Sequence, residues 1–72
     1  MGSAFMLGIE LVKIAETHGW ADRGPGAAHP HVMVNPGSRN VPIRAKLQNK
    51  YECQNILKQL GIPRAAWPTK LK

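Results

Sequence analysis

Two histidines carry the most suggestive chemistry in this chain of 72 residues: His29 and His31, separated by Pro30. Histidine titrates near neutral pH, so it can both accept and donate a proton. Residues i and i+2 of an extended segment point to the same face, so the two imidazoles could divide the acid and base steps of one reaction. Metal-free cleavage of RNA is such a reaction, because it needs a base for the 2′-hydroxyl, an acid for the leaving 5′-oxygen and cations for the phosphorane.

The positive charge of the chain is concentrated in its second half. Up to Asn35 there are two basic and three acidic residues, a net charge of −1, whereas the rest has eight basic residues and one acidic residue, a net charge of +7. This asymmetry is typical of a surface that binds phosphates, and RNA is the expected partner. The candidate RNA-binding residues are Arg39, Arg44, Lys46 and Lys50, with Arg44 suited to a bidentate contact. A basic face that docks on an acidic protein is the alternative.

A metal site is a further interpretation of the His-x-His spacing. A third ligand is hard to nominate, because His18 falls at a helix end and the few carboxylates lie elsewhere in the sequence. The single cysteine, Cys53, rules out a cysteine-based zinc site and an intramolecular disulfide. We therefore expect no metal, no small-molecule cofactor and a reducing, cytoplasmic setting. No apolar run reaches the roughly 18 residues of a membrane span, so no membrane association is expected.

Apolar periodicity predicts two helices. Residues at spacings of three and four predict a first helix over residues 6–18, which ends before Gly19. A second helix begins at Asn49, where Glu52 three positions later completes a capping-box pattern, and it ends at Gly61. Its apolar stripe consists of Cys53, Ile56, Leu57 and Leu60.

Short strands are predicted between the helices, at residues 21–23, 31–34 and 41–43, with turn residues at 35–38 and a linker at 45–48. Pro42 cannot donate a ladder hydrogen bond, which places it on a sheet edge or at a position facing away from the neighbouring strand. The predicted fold is α+β, a two-layer sandwich of order α-β-β-β-α. One domain covers residues 4–63, and a basic tail of residues 64–72 docks the Trp67 indole on the core or stays loose.

The sequence resembles the HicA toxins of bacterial toxin–antitoxin pairs over nearly its whole length, from about Gly8 to Ile62. The resemblance rests on the short motifs His18-Gly19-Trp20, Gly26-Ala27-Ala28-His29, Asn35-Pro36-Gly37, Val41-Pro42-Ile43 and the segment 56–62 in this order. It implies a fold like that of double-stranded-RNA-binding domains and a metal-independent endoribonuclease activity on mRNA. It also implies a HicB-like antitoxin as protein partner.

The same resemblance implies a catalytic histidine at the start of the second strand. The family has a Gly-Ser-His or similar motif there, whereas this chain has alanines at positions 27 and 28. Counting forward from Gly26 favours His29, and counting back from Pro36 favours Pro30 or its neighbour His31. Both histidines are therefore candidates. The alternative function is a non-catalytic RNA-binding domain of the same fold.

Overall fold

The computed structural model describes residues 3–26 and 28–72, and within them two α-helices and five short strands. Ala27 of the Gly26-Ala27-Ala28-His29 motif lies outside the described residues. The elements are β1 (Met6–Leu7), α1 (Gly8–Glu16), β2 (Ala21–Asp22), β3 (His31–Val34), β4 (Val41–Ile43), β5 (Lys46–Leu47) and α2 (Lys50–Gln59). Strands β2, β3 and β4 form an antiparallel sheet in that order, and β1 pairs with β5 in a second, two-stranded sheet. The predicted α+β class is confirmed.

The β3–β4 hairpin forms where the sequence predicts it. The Ser38 N–H donates to the Asn35 carbonyl at 2.9 Å, and Gly37 takes the positive φ of 82° that the turn requires. Pro42 lies opposite Val32 and faces outward from β4, which is an edge of the three-stranded sheet. The missing N–H of proline is harmless at this position, because an edge strand leaves some backbone groups unpaired.

Both helices bury their apolar stripes against the sheet. Leu11 of α1, Leu57 of α2, and Met33 and Ile43 of the sheet are each 0% exposed and belong to one hydrophobic cluster. Burial of side chains of this size stabilises the fold by about 1.5–3 kcal/mol each. The cluster therefore fixes how α2 lies relative to β4.

The start of the first helix differs from its prediction. Residues 6 and 7 form β1, with Met6 opposite Leu47, and α1 begins only at Gly8. The Glu10 carboxylate accepts the Leu7 N–H at 2.9 Å and closes this end of the helix. The predicted linker at 45–48 contains β5, because Leu47 is completely buried and brings its backbone into reach of β1.

The segment 64–72 packs on the core in two short 3-10 turns, Arg64–Ala66 and Thr69–Leu71. The Trp67 indole is 7% exposed and its Nε1 donates to the Ile62 carbonyl at 2.9 Å. Leu71 is 0% exposed, and the Gln54 side chain donates to its carbonyl at 2.7 Å. Of the two outcomes left open by the sequence, the docked indole is the one observed.

Candidate functional site

A cleft of about 340 Å³ lies where the end of β4 meets α2. This volume is near the lower limit of small-molecule sites, which span roughly 300–1,000 Å³. Two of the candidate residues, His29 and Arg44, are brought together here from separate segments of the chain. The complete lining is His29, Pro42, Arg44, Glu52, Asn55, Ile56 and Gln59.

One face of α2 supplies the helical wall of the cleft. Its four lining residues are spaced i, i+3, i+4 and i+7, so they stack along one side of the helix. The Asn49 side chain accepts the Glu52 N–H at 2.9 Å and fixes the first turn. Cys53 and Leu57 point instead into the core, which holds the cleft-facing side towards β4. The predicted N-cap at Asn49 is confirmed.

Arg44 and Glu52 place opposite charges side by side in the cleft. Arg44 Nη1 lies 3.7 Å from Glu52 Oε1, and the two side chains are 66% and 25% exposed. An ion pair this open to solvent is weak, because water screens it. A guanidinium has five N–H donors in a planar fork. The loose contact with Glu52 therefore leaves Arg44 able to bind an anion such as phosphate.

His31 lies in different surroundings from His29. It is the first residue of β3, and its Nδ1 is 2.8 Å from Oδ2 of Asp22 on the neighbouring strand β2. The Asp22 Oδ1 also accepts the Gly24 N–H at 2.9 Å. Burial alone would raise the pKa of Asp22, but the hydrogen bonds from Gly24 and His31 outweigh it and hold that pKa below its usual value. His31 is thus oriented by a carboxylate that stays ionised.

The two histidines do not line the same cleft in the part of the chain that the structure describes. His29 precedes β3, and its carbonyl accepts the Gly26 N–H at 2.8 Å. His29 therefore lies outside the strand. The prediction that His29 and His31 share a face relied on the alternation of side chains along a strand, and that alternation begins only at His31.

The other candidate cations are not among the residues that line the cleft, as far as residues 3–26 and 28–72 are concerned. Arg39 is exposed between β3 and β4, and Lys46 is exposed on β5. Lys50 is the half-buried first residue of α2. All three follow the hairpin turn, so they belong to the basic half of the sequence.

Two acidic residues of this region were not singled out as site residues from the sequence. Asp22 is nine residues from His31, and the pairing of β2 with β3 is what joins them. Glu52 matches a helix-capping pattern, which is sufficient to explain a glutamate at that position. Its carboxylate accepts a long bond of 3.4 Å from the Gln48 N–H, and its place in the cleft depends on the packing of α2.

The remaining titratable groups offer no further cluster among the described residues. No three His, Cys, Asp or Glu side chains there are placed to hold a metal ion. Cys53 is completely buried, and this burial raises the pKa of its thiol.

Within the described ranges, none of the helices combines the length and apolar character needed to cross a membrane. Comparison of the sequence and the structure with protein-family models, curated proteins and solved structures finds no match.

Proposed function

We propose that this protein is an endoribonuclease, the toxin of a HicA-like toxin–antitoxin pair, and that the cleft between β4 and α2 is its active site. The observation that carries the proposal is the convergence of His29 and Arg44 on one cleft. A proton-transfer group and a phosphate-binding cation are the two residue types that metal-free cleavage of RNA requires in one place.

The reaction is an internal transfer at phosphorus. The 2′-oxygen of the substrate attacks the adjacent phosphorus, the bond from phosphorus to the 5′-oxygen breaks, and the products are a 2′,3′-cyclic phosphate and a free 5′-hydroxyl. His29 carries one of the two protons that move, and Arg44 binds the non-bridging oxygens as their negative charge grows. Cleavage is expected to continue in the presence of EDTA.

The fold supports an RNA substrate. Around the three-stranded sheet the order α1-β2-β3-β4-α2 agrees with the α-β-β-β-α order of double-stranded-RNA-binding domains. Such domains bind RNA mainly through its shape, its phosphates and its 2′-hydroxyls. Exposed Arg39 and Lys46, together with Lys50 at the start of α2, are the further cations proposed to contact phosphates. The proposed protein partner is an acidic, HicB-like antitoxin that covers this basic surface in the bacterial cytoplasm.

Induction of the gene in bacteria and RNA cleavage by the purified protein test this proposal together. Replacing His29 with alanine should relieve growth arrest and lower the cleavage rate roughly 10²- to 10⁴-fold, because a proton-transfer step is lost. RNA binding should be largely retained. The matched control is His18→Ala, which changes an exposed histidine after α1 and should leave both readouts unchanged.

A second pair of variants tests the role of Arg44. Arg44→Ala should weaken both binding and cleavage, whereas Arg23→Ala, an exposed arginine outside the cleft lining, should not. Binding of wild-type protein should weaken steeply between low and moderate salt, since phosphate contacts release counterions.

Three results would count against the proposal. Cleavage that survives His29→Ala but is abolished by His31→Ala would move the active site to the pair of His31 and Asp22. Tight RNA binding by a wild-type protein that never cleaves would indicate the non-catalytic RNA-binding domain instead. RNA binding that does not respond to salt would remove the phosphate-contact argument itself.

A further inference from the structure

Transfer at phosphorus moves two protons, and His29 can carry only one of them at a time. Among the described residues, the cleft lining contains one other side chain of the acid–base type, the carboxyl group of Glu52. A guanidinium has N–H donors and no acceptor, and the amide side chains of Asn55 and Gln59 are not bases.

We infer that Glu52 is the second proton-transfer residue of this cleft, the general base that takes the 2′-hydroxyl proton while His29 protonates the leaving 5′-oxygen. The inference rests on the proposed function. The lone pair of the 2′-oxygen forms the new bond to phosphorus as its proton passes to Glu52. The electron pair of the breaking bond stays on the 5′-oxygen, which takes the proton of His29. Exchange of protons with water then restores both residues.

The position of Glu52 beside Arg44 supports this role. The attacking 2′-oxygen must reach the same phosphorus whose oxygens Arg44 binds, so the base has to lie next to the guanidinium. Glu52 Oε1 lies there, 3.7 Å from Arg44 Nη1. The other oxygen, Oε2, accepts the long bond from Gln48, which leaves Oε1 directed towards the cation. The side chain is 25% exposed, so a substrate can reach it.

The chemistry of the two side chains assigns their roles. Carboxyl groups are ordinarily ionised at neutral pH and enter a reaction as bases. Histidine titrates close to neutrality and can enter protonated, as an acid. With Arg44 they complete a base, an acid and a cation, drawn from α2, the segment before β3 and the end of β4. This set needs no contribution from His31.

Glu52 also lies in the first turn of α2, so the test has to separate catalysis from folding. Glu52→Gln keeps the shape of the side chain, and the Asn49 cap to the backbone N–H of residue 52 does not depend on the carboxylate. Glu16→Gln is the matched control, because Glu16 is an exposed carboxylate at the last residue of α1. Thermal unfolding of each variant shows whether the fold is intact.

The decisive experiment compares two substrates: a short RNA, and a nucleoside 3′-(4-nitrophenyl phosphate), whose leaving group departs without an acid. Glu52→Gln should lower the rate roughly 10²- to 10⁴-fold on both substrates, because both need a base. His29→Ala should show a loss of that size on RNA only. Glu52→Asp should recover part of the rate, and Glu16→Gln should match the wild type on both.

The outcomes distinguish the inference from the function on which it rests. A folded Glu52→Gln variant that cleaves both substrates within a few-fold of an active wild type would overturn the role of Glu52 and leave the endoribonuclease intact. The reversed pattern, with Glu52→Gln impaired on RNA only, would make Glu52 the acid and overturn the assignment. A wild type that cleaves neither substrate would overturn the proposed function and this inference with it.

Discussion

Gly8 offers a test of the packing that holds the cleft together. It is the first residue of α1 and lies directly against the backbone after β4. A Cβ at this position would overlap the carbonyl oxygen of Arg44 and come within 3.1 Å of Ile43 Cγ2. The Gly8 N–H donates to the Ala45 carbonyl at 2.8 Å. Gly8→Ala therefore forces α1 away from the strand end that carries Arg44.

Whether Gly8→Ala lowers or raises the stability of the fold shows whether this contact or helix propensity dominates. In an isolated helix, alanine in place of glycine stabilises by about 1 kcal/mol. Overpacking costs about 1–3 kcal/mol, and a backbone oxygen cannot rotate away as a side chain can. Loss of the hydrogen bond to Ala45 adds about 1 kcal/mol. Taking the terms together, we expect a net destabilisation of about 2 kcal/mol, or a fall in Tm of roughly 8–16 °C for a domain of this size.

Urea unfolding followed by the fluorescence of the buried Trp20 and Trp67 measures this change. Lys13→Ala, on the exposed side of the same helix, is the control and should stay within about 0.5 kcal/mol of the wild type. A Gly8→Ala variant more stable than the wild type would refute the reasoning, because it would leave propensity as the dominant effect.

Three further predictions concern buried and paired groups. Asp22→Asn should destabilise by about 1–2 kcal/mol at neutral pH through its contacts with Gly24 and His31. The pKa of Asp22 is lowered in the folded state. The stabilisation by Asp22 is therefore present above the ordinary aspartate pKa and is lost as the pH falls through the pKa of Asp22 in the folded protein. Urea unfolding in acid should therefore show the wild type and the variant converging. The Cys53 thiol, buried and with a raised pKa, should react with a thiol reagent only as urea opens the fold. Trp67→Ala should cost about 3–5 kcal/mol in the same unfolding assay, since it empties a core position.

Local patterns predict the start of α2 and the β3–β4 hairpin of this protein well. The start of α2 at Asn49 depends only on residues within one turn, and the turn at Gly37 depends on its own backbone. Strands β1 and β5 are not predictable from local patterns, because each has two residues, which are too few to show an alternation. Their existence follows from the pairing of segments far apart in the sequence.

The types of residue in the candidate site were predictable from the sequence, but their arrangement in space was not. His29 and Arg44 stand out because their side chains suit proton transfer and phosphate binding. Their meeting with Glu52 is set by the docking of α2 beside β4, which no local spacing encodes. The separate position of His31 follows from Asp22, whose approach requires the β2–β3 pairing.

The long-range contacts of this small fold bear on the order in which it assembles. The β3–β4 hairpin closes over a short turn, whereas the Trp20 indole donates to the Leu60 carbonyl across 40 residues, and β1 must find β5. Closing long loops costs more entropy, so such contacts form late. The contact of Trp20 with Leu60 and the pairing of β1 with β5 therefore form after the hairpin. A chain caught before that step has its β3–β4 hairpin but lacks the contacts that join its first 20 residues to the second half of the sequence.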